Sequence, residues 1–223
     1  MARTSNEPAE QKSPDASIKK IPTRQRIMTC AVDKFAAKGY TETTIRDITS
    51  TVGINSSSLY NHFSSKEDLL EFILDDFNSH TRDMYKNPNI LSILRENPTV
   101  AGVMSCIQIS FDVLSDDYYS KLLHVIYQEQ HRNDIVRHFV SRTILESEEQ
   151  VAAILNALKD LNIISQEADP DLWGKLTSSL LYTFPNRTML GIGSDYPGYS
   201  GMELKSLLHN MFELFFKIYG VQT

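Results

Sequence analysis

Residues 44–66 read TIRDITSTVGINSSSLYNHFSSK, and they constrain the fold more than any other stretch. Ile45, Ile48 and Val52 recur at helical spacing, which gives a short helix one apolar stripe. Thr44 stands at its cap, with Asp47 three residues on as the reciprocal partner of a capping box. Gly53 ends the helix as a residue able to take a left-handed backbone does. Ile54 anchors the turn, and residues 55–58 are small and polar. Leu59 and Phe63 are four apart and point inward, which leaves Ser57, Ser58, Asn61 and His62 on other faces. Ser64 with Glu67 is expected to form a second capping box that opens the next helix. An amphipathic helix, a glycine turn and a second helix with a small polar start describe a helix-turn-helix. In that motif the second helix enters the DNA major groove, N-terminal residues first.

The flanking residues extend the pattern. The chain carries G-Y-x-x-T-T-I-R-D-I, then V-G-I, then S-L-Y-N-H-F-S-S-K-E-D-L-L, with Tyr40, Thr44, Gly53, Leu59, Tyr60, His62, Phe63 and Lys66 at fixed spacings. Across residues 24–74 this resembles the DNA-binding domain of TetR-type transcriptional regulators. The resemblance implies an all-α chain, with an N-terminal three-helix helix-turn-helix domain and a C-terminal helical ligand-binding and dimerisation domain. The corresponding division is a disordered tail at 1–21, the DNA-binding domain at 22–68 and the effector-binding and dimerisation domain at 69–223.

Charge agrees only when it is mapped along the chain. The net charge of −6 argues against a nucleic-acid binder. Through Lys66, however, ten basic residues face six acidic ones, and beyond it twelve face twenty-two. A basic front on an acidic body fits a DNA-reading unit joined to something that does not touch DNA. Cys30 and Cys106 lie far apart without a CxxC and read as buried thiols in a reducing cytoplasm. No apolar run nears the ~18 residues of a membrane span, and the N-terminus lacks the apolar stretch of a secretion signal. The chain is expected to be soluble and cytoplasmic, with no membrane partner.

Residues 1–21 are poor in apolar groups and read as a mobile tail, whose Lys12, Lys19 and Lys20 stand as an alternative arm for phosphates. The periodicity predicts a helix at 23–38, with Ile27, Cys30, Ala31 and Phe35 buried. A fourth helix from Lys66 carries Leu69, Leu70, Ile73, Leu74 and Phe77 towards Tyr85 as a strut, and Asn87-Pro88 breaks it. Further helices follow beyond Pro98, from Asp116 or Asp117, over 133–161, and from Asp169-Pro170-Asp171 with a kink expected at Pro185. Residues 191–201 form a glycine-rich connector, and 202–219 form a last helix that is apolar on more than one face. No stretch shows the alternation of a strand.

The site residues follow from this layout. Arg46 is placed by the resemblance where the family reaches a base edge. Arginine to guanine is the commonest specific contact, and a phosphate contact stands beside it as the alternative. Thr44, Tyr60, His62 and Lys66 match positions that grip phosphates in the family, and each can donate to a phosphate oxygen. Ser56, Ser57, Ser58 and Asn61 are the groove-facing set, where other members carry Gln, Lys or Arg. Such short side chains make few bidentate base contacts, which favours readout of DNA shape. His124, His131 and His138 recur every seven residues, but a helix break near Arg132-Asn133 argues against a metal site, and none is assigned.

The resemblance also implies an effector cavity in the body. Its candidates are Met84, Met104, Phe111, Tyr127, Trp173 and Phe184, with His124 and Arg187 as polar anchors. A small apolar or aromatic effector would suit them. The family's last two long helices pair with those of a second copy as a four-helix bundle. That places Trp173, Leu180, Leu204, Leu208, Met211, Phe212 and Phe215 at a homodimer interface. No Ser-His-Asp set, carboxylate pair, nucleotide fingerprint or metal cluster points to an enzyme or a cofactor. The expected partners are double-stranded operator DNA, a second copy and the effector. The rival reading is a helical ligand-binding or interaction module whose helix-turn-helix no longer reads specific DNA.

Overall fold

The computed structural model describes residues 21–85, 90–113, 116–189 and 201–221. Its side chains are described for 21–80, 90–107, 116–183 and 204–221. The helices in chain order are α1 (Thr23–Lys38), α2 (Ile45–Val52), α3 (Ser56–Tyr60), α4 (Lys66–Tyr85) and α5 (Ile90–Glu96). They continue with α6 (Val100–Val113), α7 (Asp117–Glu129), α8 (Asp134–Asp160), α9 (Pro170–Met189) and α10 (Gly201–Tyr219). Among the described residues the one β feature is an isolated antiparallel bridge between Ile164 and Gly220. Ser165 N–H donates to Tyr219 O at 2.7 Å and Val221 N–H to Ile163 O at 3.0 Å, so the end of α10 is pinned to the α8–α9 loop.

Helix ends are set by local chemistry. Asp116 accepts from the amides of Tyr118 and Tyr119 to open α7, and Asn133 accepts from those of Ile135 and Val136 to open α8. The cap of α4 differs from expectation by one residue. Ser65 Oγ accepts from Asp68 N–H at 3.0 Å, and the Asp68 carboxylate accepts from Ser64 N–H at 2.6 Å. The cap is therefore Ser65, not Ser64 with Glu67, because the helix starts at Lys66 and Asp68 occupies its third position, and the Asp68 carboxylate reaches back to Ser64 instead of closing a strict box. Helix α5 lies between two prolines in a segment too short for periodicity to reveal. Helix α9 runs through Pro185 to Met189.

Two cores organise the chain. The first joins Ile27, Phe35, Ile48, Leu59 and Phe63 of the helix-turn-helix unit to Leu69, Leu70, Ile73 and Phe77 of α4. It also takes in Leu122, Val125 and Ile126 of α7 and Val136 and Phe139 of α8. The second gathers Leu94, Val103, Cys106 and Ile107 with the far half of α8, Trp173 of α9, and Leu204, Leu208, Phe212 and Phe215 of α10. Each fully buried Phe, Leu or Ile contributes on the order of 1.5–3 kcal/mol. Apolar packing thus continues past residue 68 into α4, α7 and α8, and α8 contributes buried residues to both cores.

Helices α8 and α9 cross closely on small residues. Ser147 Oγ and Ser178 Oγ lie 2.6 Å apart, and a Cβ added at Gly174 would stand 2.6 Å from Glu148 O. The obstacle is backbone, which cannot swing aside as a flexible side chain would. Gly174→Ala is expected to destabilise the chain by about 1–3 kcal/mol through overpacking. That corresponds to a fall of roughly 2–4 °C in melting temperature per kcal/mol for a chain of this size. An unchanged thermal melt would show that the two helices separate at no cost.

Candidate nucleic-acid interface

The candidate interface is built on α2 and α3. Thr44 Oγ1 accepts from Asp47 N–H at 3.2 Å, and Thr44 N–H donates to Asp47 Oδ2 at 2.8 Å, which completes the capping box. Lys38 Nζ reaches the same oxygen at 2.7 Å. The Lys38 ammonium, with the Thr44 hydroxyl and amide, holds the Asp47 carboxyl well below the usual carboxylate range. At the other end Gly53 takes φ 76°, ψ 37°, the left-handed conformation that lets its own N–H and that of Ile54 reach Thr49 O. The Arg26 guanidinium crosses from α1 to donate to Val52 O, so an orphan carbonyl of this helix end is satisfied from outside.

Helix α3 is a single turn and is positioned by its neighbours. Asn55 Oδ1 caps it, accepting from Ser58 N–H at 2.7 Å and from Ser58 Oγ at 2.8 Å. Leu59 and Phe63 face inward and are essentially inaccessible. Phe63 packs on Phe72 with ring centroids 5.7 Å apart, and the Arg24 guanidinium lies 3.7 Å from the centre of the Phe72 ring. With the inward side occupied, Ser56, Ser57, Tyr60, Asn61 and His62 are exposed, as are Thr44 and Arg46 at the start of α2. Tyr60 keeps 53% of its surface, which settles that its phenol is not part of the core.

Two nominated residues are placed otherwise. Lys66 is half-buried, and its Nζ donates to Tyr40 O at 2.9 Å and Thr43 O at 3.0 Å, with Thr41 O at 3.5 Å. The same ammonium stands 4.2 Å from the centre of the Tyr40 ring. It is bound to the α1–α2 loop and is not presented to solvent for a phosphate. Ser58 spends its hydroxyl on Asn55 and is half-buried, so it serves the cap more than a groove. Sequence reasoning also missed Arg24 and Arg26, which nothing in the periodicity separates from other surface arginines.

The nominated effector residues whose side chains are described fall in two places. Tyr127 and His124 stand on α7, where Tyr127 Oη donates to Tyr182 O at 3.0 Å and His124 Nε2 lies 2.8 Å from Gln128 Nε2. Burial pushes the Tyr127 phenol up to about 12. Trp173 and Met104 belong instead with the second core. Trp173 meets Phe215 edge-on at 4.9 Å, and its Nε1 finds no hydrogen-bond partner. Met84, Phe111, Phe184 and Arg187 lie outside the residues whose side chains are described. The histidine series is broken, because His131 sits between α7 and α8 and shares a helix with neither His124 nor His138.

The nominated dimer residues divide by burial. Trp173, Leu204, Leu208, Phe212 and Phe215 are buried inside the single chain, and Leu180 and Met211 are half-buried against the same core. The five buried ones are consumed by the chain's own packing. Among the described residues the large apolar groups left exposed on these helices are Leu172 and Leu176 of α9 and Leu207, Leu214 and Ile218 of α10. Among the described residues no helix is long and apolar enough to cross a membrane.

Replacing Lys66 by alanine strips two loop carbonyls of a charged donor. We expect Lys66→Ala to lower stability by about 1.5–3 kcal/mol, the range for hydrogen bonds to charged groups. The check is a denaturant melt without any DNA. Wild-type stability in that melt would return Lys66 to the phosphate-gripping role.

Comparison with known proteins agrees with this geometry. Residues 27–73 match the family model of bacterial regulatory proteins, tetR family. Over 65 residues the chain is 42% identical to the HTH-type transcriptional repressor KstR2 of Mycolicibacterium smegmatis, covering 29% of this chain and 32% of the repressor. The chain thus matches about a third of the length of that curated relative. A TetR-family regulator structure from Mesorhizobium loti superposes with a TM-score of 0.65 at 21% identity, covering 94% of this chain and 100% of that one. A transcriptional regulator from Saccharomonospora viridis, solved in complex with choline, gives a TM-score of 0.65 at 17% identity, covering 89% and 98%. At such identities these structures show the shared fold. Residues 27–73 therefore carry the segment that defines the tetR family of bacterial regulatory proteins, on a fold shared with solved regulators of that family.

Proposed function

We propose that the protein is a homodimeric transcriptional repressor that binds a near-palindromic operator and responds to a small ligand in its helical body. The observation that carries this reading is the exposed polar set on α2 and α3, held on a scaffold whose inward side is fully packed. Arg46 is the base-reading or phosphate-binding cation of α2. Thr44, Tyr60 and His62 supply neutral donors for phosphates, and Ser56, Ser57 and Asn61 face the groove. These short side chains leave much of the discrimination to DNA shape. The curated repressor similar over this segment supports repression as the outcome.

The second copy is assigned to the exposed apolar stripe. Leu207, Leu214 and Ile218 are exposed along α10, half-buried Met211 completes their 4-3-4 spacing, and Leu172 and Leu176 are exposed on α9. Pairing through it would set two copies of α3 about one DNA turn, roughly 34 Å, apart. Ligand binding in the body would shift α4 and change that spacing. A coupling of about 1–3 kcal/mol is enough for a useful switch. The choline bound by the Saccharomonospora viridis regulator supports a small organic ligand as the class. The preference for an apolar or aromatic one rests on the aromatic residues of the body.

Selection from a random DNA pool at about 150 mM salt, where non-specific phosphate binding is suppressed, tests the operator. An inverted repeat is the expected product. Arg46→Ala should then cost about 1–3 kcal/mol of discrimination at one position of each half-site if it reads a base. A folded, dimeric protein that enriches nothing, with or without cell extract as a source of ligand, would favour the helical module without a DNA target.

The dimer is tested separately. The double variant Leu207→Glu and Leu214→Glu should sediment as a monomer with unchanged helix content, since both side chains are already in solvent in the single chain. A wild-type chain that is itself monomeric at micromolar concentration would sink the assignment.

A further inference from the structure

We infer that the last turn of α7 is a tie between the body and the DNA-reading head, with Tyr127 and Glu129 as its positioning residues. The inference deepens the proposed function by naming a route to the head other than α4, and its consequence for DNA rests on that reading.

Glu129 is the starting point. It is a carboxylate with only 7% of its surface exposed, a state that is costly unless the group is partnered. Its Oε1 accepts from Tyr40 N–H at 3.2 Å, across 89 residues of sequence. Tyr40 belongs to the loop between α1 and α2, and that loop is held from several sides. Lys66 Nζ binds its carbonyls at Tyr40 and Thr43. Tyr40 Oη donates to Glu67 at 3.2 Å, and Thr43 Oγ1 donates to Gly39 O at 2.8 Å. Thr44, the cap of α2, follows directly. A displacement of Glu129 is therefore delivered to the cap of α2 with little slack between them.

The other end of the tie is two residues earlier. Tyr127 Oη donates to Tyr182 O of α9 at 3.0 Å, and the two rings meet edge-on at 6.4 Å. Successive residues of a helix turn by about 100°, so positions two apart lie on nearly opposite faces. One turn of α7 thus grips α9 on one side and the head loop on the other. Upstream, Leu122, Val125 and Ile126 pack α7 into the core it shares with α1, and Lys121 pairs with Asp33 of α1 at 2.9 Å. Anything that parts Tyr127 from α9 moves Glu129 against Tyr40. Packed helices shift between discrete arrangements more readily than they deform continuously, which suits such a tie to switching.

The test is amide hydrogen exchange at Tyr40 in the full chain without DNA, read against amides of α10 as an internal reference. Glu129→Ala should speed exchange at Tyr40 about tenfold, the equivalent of one ordinary hydrogen bond. Glu129→Gln keeps an acceptor oxygen and should stay near wild type. Tyr127→Phe keeps the ring and loses only the bond to α9. It should also speed exchange at Tyr40, leave α10 unchanged, and add nothing in the Glu129→Ala background. The inference is overturned if Tyr127→Phe leaves Tyr40 at the wild-type rate, if it accelerates all amides alike, or if the two substitutions add independently. Operator affinity of the same variants supplies the second readout. If the wild type binds no operator, the repressor reading fails, while the exchange measurements still decide the tie.

Discussion

The ammonium of Lys66 lies against the carbonyl oxygens of Tyr40 and Thr43, and the arrangement of the head depends on that contact. The chain leaves α1 at Gly39, with φ 87°, and must turn before Thr44 can cap α2. Such a turn leaves backbone carbonyls without helical partners, and a buried carbonyl without a donor costs free energy. Lys66 supplies the donor from the first turn of α4. Glu67 takes the Tyr40 hydroxyl from the same turn, and Glu129 takes the Tyr40 amide from α7. Two helices therefore meet at one loop residue. The unit that presents α3 is joined to α4 and α7 by polar bonds as well as by the shared apolar core.

The division of this chain into head and body is consequently less sharp than its charge pattern suggests. A boundary at residue 68 follows the change from basic to acidic composition, but the packing ignores it. Leu69, Leu70, Ile73 and Phe77 complete the core begun by Phe35, Ile48 and Phe63, and α7 and the start of α8 close it from the far side. The real change occurs along α8, whose first turns serve one core and whose last turns serve the other. Charge reports which surface meets solvent or a partner, whereas domain structure is decided by where buried area is shared.

The parts legible in the sequence are those fixed within a few residues. Thr44 with Asp47, Gly53, and Leu59 with Phe63 were readable because a cap, a left-handed stop and an i, i+4 pair are local patterns. The α4 cap was misread by one residue because two serines precede Lys66 and two acids follow it, and both pairings fit the capping rule. Lys66 and Ser58 were read as outward donors because nothing local reveals that distant carbonyls or a capping asparagine claim them. Helix α10 presents a similar ambiguity on a larger scale. Leu204, Leu208, Phe212 and Phe215 form one apolar stripe, and Leu207, Met211, Leu214 and Ile218 form another. Periodicity identifies both and cannot say which one meets the chain's own core.

The disposition of the head's cations bears on how it would hold DNA. A count through Lys66 gives a basic front, yet Arg26 and Lys66 bind carbonyls and Lys38 neutralises Asp47. Arg24 lies over the Phe72 ring, which leaves Arg46 as the exposed cation of α2. Phosphate affinity from released counterions scales with the number of cations placed at phosphates, not with the formal charge of the segment. On α2 and α3 themselves, where Arg46 is the one cation, contacts to DNA would draw on donors of fixed geometry, the hydroxyls and amides. Neutral donors act only at hydrogen-bond distance. The accuracy with which the loop at Tyr40 sets the angle of α2 and α3 therefore matters for those donors. That requirement gives a physical reason for holding one loop residue from α4 and α7 together.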